Sequence, residues 1–366
     1  MLKRILLLAA ACVTAALLPA KDILVNTPKT TLLLKADRGQ PLHISYYGER
    51  IDNAGQVYSA GSLWYEAYPA FGTCGTDVPA LSVRHADGNM TTELEYVSDT
   101  AVAEANATLY TITMKDKVYD FYVDVCYRAY SNADVIEAWT VLRNGEKKPV
   151  TLNKYASGFL PIRQDDVWVT HMHGEWAAEA EVTEQKLHPG IFEVHDVTGT
   201  RNAYKNRPNI MLSLDGKPQE NSGRAIGAVL CWNGNYRITV DTNGKRAHTL
   251  VAGIDDAQSA YTLAKGASFT TPTLALAYSN EGIGGVSRSY HRWARLNNKI
   301  HNGTALRKTL LNSWEGVYFN VNEQNMTSLM DGVKAVGAEL FVMDDGWFGD
   351  KYPRNNGSTS LGDWVT

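Results

Sequence analysis

A long stretch of two-residue alternation, from about residue 21 to residue 279, constrains the fold more than any other feature of the sequence. In the segment DFYVDVCYRAY (120–130), apolar residues recur at every second position, which places them on one face of a β-strand. A run rich in β-branched and aromatic residues follows at 135–143, and turn-forming residues lie between the two at 131–134. The pair predicts an antiparallel hairpin.

Similar short apolar segments recur throughout this part of the chain. They are residues 32–34, 43–47, 81–84, 91–97, 107–114, 150–155, 167–171, 226–232 and 236–240. Turn dipeptides such as Asp87-Gly88 and Asn233-Gly234 separate many of them. Many short strands divided in this way predict a mainly β fold, a large antiparallel β-sandwich.

The pattern changes after residue 279. Apolar residues then lie at helical spacing and predict one amphipathic helix, with members Ile283, Val286, Tyr290, Trp293, Leu296 and Ile300. The sequence His301-Asn302-Gly303 is expected to end it. This helix is the candidate connector between two domains.

A strand–helix–strand pattern follows. We predict a strand over 309–320, then a helix that begins after the N-cap residue Asn322 and ends at Gly337. The second strand is the apolar run in AELFVMDDGWFG (338–349). Such a βαβ unit requires parallel pairing of its strands.

The second strand ends at two adjacent carboxylates, Asp344 and Asp345, with Trp347 close behind. In barrels of alternating strands and helices, ligands are held at the C-terminal ends of strands. Carboxylates accept hydrogen bonds from sugar hydroxyls, and an indole face packs on the apolar side of a pyranose. The segment therefore favours a sugar site; the alternative is a strand-end turn whose acids cap the next element.

Composition and the N-terminus restrict the function further. The net charge of -4, with no basic stripe, argues against nucleic-acid binding. Lys3 and Arg4 precede an apolar stretch at 5–18 that is too short to span a bilayer, so residues 1–20 predict a signal peptide. We expect an exported protein, periplasmic or secreted, without stable membrane insertion after cleavage. An uncleaved anchor and lipidation at Cys12 are the alternatives.

Export permits disulfides, but the remaining cysteines are few. Cys74, Cys126 and Cys231 could form at most one bridge, and no pair has metal-ligand spacing. We expect Cys126 to be a buried structural residue, because it lies inside a strand-like alternation. No metal and no cofactor are predicted.

Three motifs, in this order and spacing, point to one family: NSWE (312–315), DDGWFG (344–349) and LGDW (361–364). From Ser62 to the last residue the chain resembles bacterial α-galactosidases of glycoside hydrolase family 36. The resemblance implies a β-supersandwich at 21–280, a connecting helix at 281–304 and the first βα units of a (β/α)8 barrel at 305–366. Because a closed barrel needs roughly 250 residues, we expect the chain to stop inside an incomplete barrel.

The resemblance also implies site residues. Asp344 and Asp345 would hold hydroxyls at the O4 and O6 end of a terminal galactose, and Trp314 and Trp347 would lie beside them. Trp176 would help to shape the pocket from the sandwich side in a homo-oligomer of the full-length protein; the alternative is a packed sandwich residue. The remaining candidates, Asp363 and Trp364, lie on the next barrel loop.

The chain departs from the family in two ways. Relatives often carry an aspartate and an arginine after a YPxxG motif, whereas here residues 74–78 are CGTDV, and only Asp77 could substitute. The family also uses two catalytic aspartates on later barrel strands, so no catalytic residue is assigned within this chain.

The sequence therefore predicts the N-terminal portion of a retaining α-galactosidase, which releases terminal α-linked galactose from oligosaccharides or galactomannan. We expect this portion alone to be inactive. The alternatives are a non-catalytic carbohydrate-binding protein, or a related α-N-acetylgalactosaminidase or galactosyl transferase.

Overall fold

The computed structural model describes residues 20–61, 63–201, 205–245, 247–257, 259–297 and 299–366. The predicted signal peptide, including Cys12, lies outside the described residues except for Ala20. The chain divides into two compact units, Met1–His301 (unit 1) and Asn302–Thr366 (unit 2). Among the helices that the structure describes, none combines the length and the apolar character needed to span a bilayer.

The strands, in chain order, are β1 (Lys21–Asn26), β2 (Thr30–Ala36), β3 (His43–Glu49), β4 (Tyr65–Glu66), β5 (Leu81–Arg84), β6 (Leu94–Ala103), β7 (Ala107–Asp116), β8 (Phe121–Tyr130), β9 (Val135–Asn144), β10 (Val150–Arg163), β11 (Trp168–Glu175), β12 (Ala178–Lys186), β13 (Gly190–Asp196), β14 (Asn206–Ser213), β15 (Ala225–Cys231), β16 (Tyr236–Thr242), β17 (Ala247–Ile254), β18 (Tyr261–Leu263), β19 (Ser268–Thr270), β20 (Thr273–Ser279), β21 (Leu310–Asn312) and β22 (Leu340–Val342). The helices are α1 (Gly55–Ala60), α2 (Gly282–Leu296), α3 (Trp314–Val317) and α4 (Glu323–Ala335), and a 3₁₀ turn covers Gly199–Arg201.

The described residues of unit 1 form three antiparallel sheets. The smallest has the order β1-β2-β3-β4. A six-stranded sheet has the order β13-β16-β17-β10-β18, with β5 also paired to β10, and a ten-stranded sheet runs β12-β11-β14-β15-β20-β9-β8-β7-β6, with β19 paired to β9. This architecture confirms the predicted mainly β, antiparallel fold.

The core of unit 1 lies between these sheets, and strand β8 shows how the sequence builds it. The face predicted to be apolar is buried: Phe121, Val123, Val125, Tyr127 and Ala129 are each 3% exposed or less. They pack in one cluster with residues of β10 and β17 from the six-stranded sheet. Each large side chain of this kind stabilises the fold by about 1.5–3 kcal/mol. The predicted β8–β9 hairpin is confirmed, with Phe121 opposite Asn144.

Several strands that contribute to this core were not predicted from the sequence: β1, β13, β14, β17, β18 and β20. Strand β17 is buried at seven successive positions, so no alternation marks it. Strand β14 is short of apolar residues in its first half. The strand predicted at 91–97 begins only at Leu94 and runs on to Ala103. Cys74, Cys126 and Cys231 are all free thiols, and Cys126 is buried as expected.

Helix α2 packs on the ten-stranded sheet through its predicted apolar face. Val286 is fully buried, the Tyr290 hydroxyl donates to the carbonyl of Ala275 at 2.9 Å, and Trp293 Nε1 donates to Glu137 at 3.2 Å. Gly227 of β15 permits this approach, because a Cβ there would lie 2.5 Å from Val286. The helix ends at Leu296, four residues before the predicted Ile300; the Asn297 side chain donates to the carbonyl of Trp293 and so ends the last turn.

Unit 2 contains the predicted strand–helix–strand. Strands β21 and β22 are parallel, with Leu310 opposite Leu340 and Asn312 opposite Val342. Helix α4 starts at the predicted N-cap, where the Asn322 side chain accepts from the amide of Asn325, and Gly337 follows it with φ of 78°. The prediction of a strand through 309–320 was wrong beyond Asn312. There the Asn312 side chain accepts from the amide of Trp314 at 2.9 Å, and this turn starts the short helix α3.

Candidate functional site

The candidate site lies where the two parallel strands of unit 2 end. Ser313 is fully buried at this point and joins both strand ends. Its amide donates to the carbonyl of Val342 at 2.9 Å, and its hydroxyl accepts from the amide of Asp344 at 3.0 Å. The serine of the NSWE motif therefore fixes the backbone of the DDGW motif.

The carboxylate of Asp344 is held by two neutral donors. Asn312 Nδ2 donates to its Oδ2 at 2.6 Å, and the amide of Asp345 donates to its Oδ1 at 2.7 Å. In the described part of the chain, no lysine or arginine forms an ion pair with Asp344. Its orientation is fixed by the neighbouring strand end without a compensating charge.

Asp345 has a different environment. Arg354 donates to both of its oxygens, from Nε at 2.8 Å and from Nη2 at 2.7 Å, and the amide of Gly346 donates at 2.8 Å. The hydrogen bond from Arg354 is the main cause that lowers the pKa of the Asp345 carboxyl below its usual value. This side chain therefore remains ionised to a lower pH than an ordinary aspartate.

Sequence analysis missed Arg354. Its side chain is only 6% exposed, and its guanidinium lies 5.3 Å from the ring centre of Phe319 and 5.4 Å from that of Phe348. An arginine in a polar loop such as 351–360 is ordinarily solvent-exposed, and no periodicity marks it. The only available signal was an arginine nine residues after an acidic pair.

Aromatic side chains surround this strand end. Trp314 lies edge-on to Phe319, with ring centres 4.9 Å apart, and Trp347 lies edge-on to Phe348 at 5.2 Å. Phe348 is buried and also contacts Trp364 at 4.6 Å. Trp347 and Trp364 are exposed, so each presents indole surface to solvent.

Asp363 lies in the loop that follows. Its Oδ2 atom is buried and finds no hydrogen-bond donor in the described part of the chain, although its amide donates to the carbonyl of Ser360 at 3.0 Å. A buried acceptor without a donor is unusual and is compatible with a ligand hydroxyl.

The structure thus brings six of the seven predicted site residues into unit 2. They are Asp344, Asp345, Trp314, Trp347, Asp363 and Trp364. Trp176 belongs to unit 1, at the turn between β11 and β12, and is 80% exposed, so it is not packed inside the sandwich. Asp77 is also in unit 1, where burial and the charge of Asp241 raise the pKa of its carboxyl.

The two strand-end carboxylates can accept further hydrogen bonds. A carboxylate has about four acceptor positions, two on each oxygen. Asp344 uses one on each oxygen, whereas Asp345 uses two on Oδ1 and one on Oδ2. The pair can therefore accept about three hydroxyl donors, a pattern suited to a polyol. No group of three acidic, histidine or cysteine side chains that could hold a metal ion occurs among the residues described.

Comparison with known families identifies the chain. The model of the glycosyl hydrolase family 36 N-terminal domain matches residues 40–264, and the melibiase model matches residues 268–366. The chain belongs to glycosyl hydrolase family 36.

Individual relatives of this chain are α-galactosidases. The chain is 31% identical over 327 residues to a probable α-galactosidase C of Aspergillus flavus, covering 85% of this chain and 43% of that protein. It is 28% identical over 348 residues to α-galactosidase Mel36A of Lactobacillus acidophilus, covering 90% of this chain and 46% of that protein. The chain thus spans about half the length of the curated relatives that it matches.

A solved family 36 structure shows the same fold. The α-galactosidase AgaA of Geobacillus stearothermophilus superposes with a TM-score of 0.85, at 23% identity, over 94% of this chain and 52% of that one. Variants of AgaA have been solved in complex with stachyose and with raffinose.

Proposed function

We propose that the end of β22 binds a terminal α-linked galactose and that the chain supplies the N-terminal part of a retaining α-galactosidase. The arrangement of Asp344 and Asp345 carries this proposal. Two carboxyl groups, each held in place and each with free acceptor positions, adjoin exposed indole rings, which is the chemistry that sugar recognition requires. The family supports the choice of galactose.

Asp344 and Asp345 are proposed as binding groups and not as the catalytic pair. A retaining glycosidase needs two carboxyl groups on opposite sides of the scissile bond, one of which is protonated near neutral pH. Arg354 lowers the pKa of Asp345, which is the opposite of what a general acid requires. The two aspartates are also consecutive residues of one strand end. In our proposal catalysis depends on other aspartates, and this chain alone binds without turnover.

The substrate class follows from the relatives. Raffinose and stachyose, which AgaA variants hold in their solved structures, are oligosaccharides that end in α-linked galactose. We propose the same class, or galactomannan side chains, for the whole protein. Residues 305–366 are then the start of its barrel, export follows from residues 1–20, and exposed Trp176 adds indole surface in a homo-oligomer.

The test is calorimetric titration of the full chain with galactose and, in parallel, with glucose. The two sugars differ only at the 4-position, which the proposal assigns to the strand-end aspartates. We expect saturable binding of galactose and at least tenfold weaker binding of glucose, because a lost hydroxyl contact leaves a carboxylate unpaired. Equal affinity for both sugars would contradict the assignment.

A second measurement tests the division between binding and catalysis. The full chain is incubated with a chromogenic α-galactoside, and release of the chromophore is followed over hours. We expect no release above the uncatalysed rate. Clear turnover would show that the catalytic carboxyl groups lie within residues 1–366.

A further inference from the structure

Arg354 does more than neutralise the charge of Asp345, because it also contacts other parts of unit 2. Its five N–H donors serve three acceptors: both oxygens of Asp345 and, from Nη1 at 2.6 Å, the carbonyl of Thr359. Its guanidinium also lies against the rings of Phe319 and Phe348. One buried side chain therefore joins the strand end, the following loop and the aromatic residues beneath them.

Burial of an arginine is costly unless its charge is paired and its donors are satisfied. Here the fork of Nε and Nη2 matches the carboxylate in a bidentate geometry, which fixes the orientation of both groups. A lysine at this position could supply the charge but not the fork. The geometry, and not only the charge, is what this position provides.

The same side chain also contacts the 350–365 loop, which carries Asp363 and Trp364. The loop is closed at its base, where the amide of Gly349 donates to the carbonyl of Val365 at 2.8 Å. Arg354 holds it at a second point, the carbonyl of Thr359. Arg354 therefore contacts both the Asp345 carboxylate and the loop, and it links the position of one to the path of the other.

We infer that Arg354 is a positioning residue for sugar recognition, which holds Asp345 and the 350–365 loop in a single arrangement and leaves Asp344 as the principal acceptor of sugar hydroxyls. The inference rests on the proposed function. It assigns unequal roles to two adjacent aspartates: Asp345 has one free acceptor position and Asp344 has two, one on each oxygen.

The experiment compares two variants with a matched control in the full chain. Arg354→Gln removes the charge and the fork, Arg354→Lys retains the charge, and Lys351→Gln removes a charge from the same loop without contact to Asp345. Galactose affinity is measured by calorimetry between pH 3.5 and pH 7. At pH 7 we expect about tenfold weaker binding in Arg354→Gln, partial recovery in Arg354→Lys and no change in Lys351→Gln.

The pH dependence of galactose affinity is a second measurement, and it would not change if Arg354 only stabilised the fold. Arg354 lowers the pKa of Asp345, so its removal should raise that pKa toward the ordinary value of an aspartate. In Arg354→Gln, affinity should then fall as the pH drops from 5 to 3.5, because Asp345 becomes protonated. The fall should be smaller in wild type and in Lys351→Gln, where Arg354 still lowers the pKa of Asp345, while Asp344 is common to all four proteins. Equal affinity and equal pH profiles in all four proteins would overturn the inference.

A ligand-free measurement separates this inference from the proposed function. The carboxyl carbon of Asp345 is followed by NMR titration in the same proteins. If wild type binds no galactose, the proposed function fails, and the titration still judges the Arg354–Asp345 contact. A pKa of Asp345 that rises only in the Arg354 variants supports it; a pKa that is unchanged in Arg354→Gln refutes it. Arg354→Lys provides the answer should Arg354→Gln not fold.

Discussion

Strands β8 and β22 are both apolar in sequence, yet they are ordered by different forces. In β8, every second side chain is buried against a second sheet, and strands pair on both of its edges. In unit 2, all three residues of β21 are exposed, and Leu340 of β22 is exposed as well. There the end of the strand is fixed by polar contacts from Ser313, Asn312 and Arg354. The difference shows that side chains can be fixed by hydrogen bonds where hydrophobic burial is slight.

Hydrogen exchange should give the largest contrast between the two regions. We expect amides of β8, which is paired on both edges, to exchange only when unit 1 unfolds. Amides of β22 are protected by one neighbouring strand among the residues described. We expect exchange in β22 to be roughly 1,000-fold faster or more, as for segments of low local stability. Similar protection in both strands would contradict the comparison. Mass spectrometry of peptides from each strand provides the measurement.

Removal of one strand-end carboxylate should affect binding and not folding. For Asp344→Ala we expect galactose affinity to fall by about 100-fold or more, because hydrogen bonds to a charged group contribute about 1.5–3 kcal/mol each. Asp350→Ala is the matched control, since that exposed acid lies in the same unit. Calorimetry gives the affinity, and unchanged circular dichroism shows that unit 1 is intact. A loss of affinity shared by both variants would argue against a specific role for Asp344.

A single added methyl group at the contact between α2 and β15 should destabilise unit 1. In Gly227→Ala the new Cβ would meet Val286 and Tyr290, so we expect a loss of about 1–3 kcal/mol in the free energy of unfolding. Gly244→Ala, with nothing within 4 Å, serves as the control. Chemical denaturation followed by tryptophan fluorescence measures both. Equal stability of the two variants would show that α2 can shift away from β15 at little cost.

The smallest expected effect is a gain in stability, and it concerns helix α4 of unit 2. Gly332 lies inside α4 with open space around its Cβ position, so Gly332→Ala should stabilise the helix by about 0.5–1 kcal/mol. Gly337→Ala should destabilise it instead, because Gly337 has a positive φ that alanine adopts with strain. Exchange rates of α4 amides distinguish the two outcomes.

Much of this fold could be predicted because its signals are local. Alternation in β8, the turn before β9, the Asn322 cap and the parallel strands of unit 2 depend on residues close together in the sequence. Strand β17 could not be found in this way, since burial on both faces removes alternation. The prediction through 309–320 failed because one side-chain hydrogen bond from Asn312 turned the chain.

In the candidate site too, residues in local motifs could be predicted from the sequence, and a residue that acts through tertiary contacts could not. Asp344, Asp345 and the tryptophans stand in motifs and could be named from the sequence. Arg354 could not, because its role depends on burial between two phenylalanine rings, which no spacing indicates.

The pairing of β9 also has a consequence for biosynthesis. Its edge partners β19 and β20 come much later in the chain; the amide of Thr140 donates to the hydroxyl of Thr271, 131 residues away. At a synthesis rate of roughly 5–20 residues per second, β9 waits on the order of 10 s for these partners after it leaves the ribosome. During that interval a strand rich in Val, Ile and Trp has an open edge in a half-made sheet. The ten-stranded sheet is therefore exposed to aggregation while the nascent chain is incomplete.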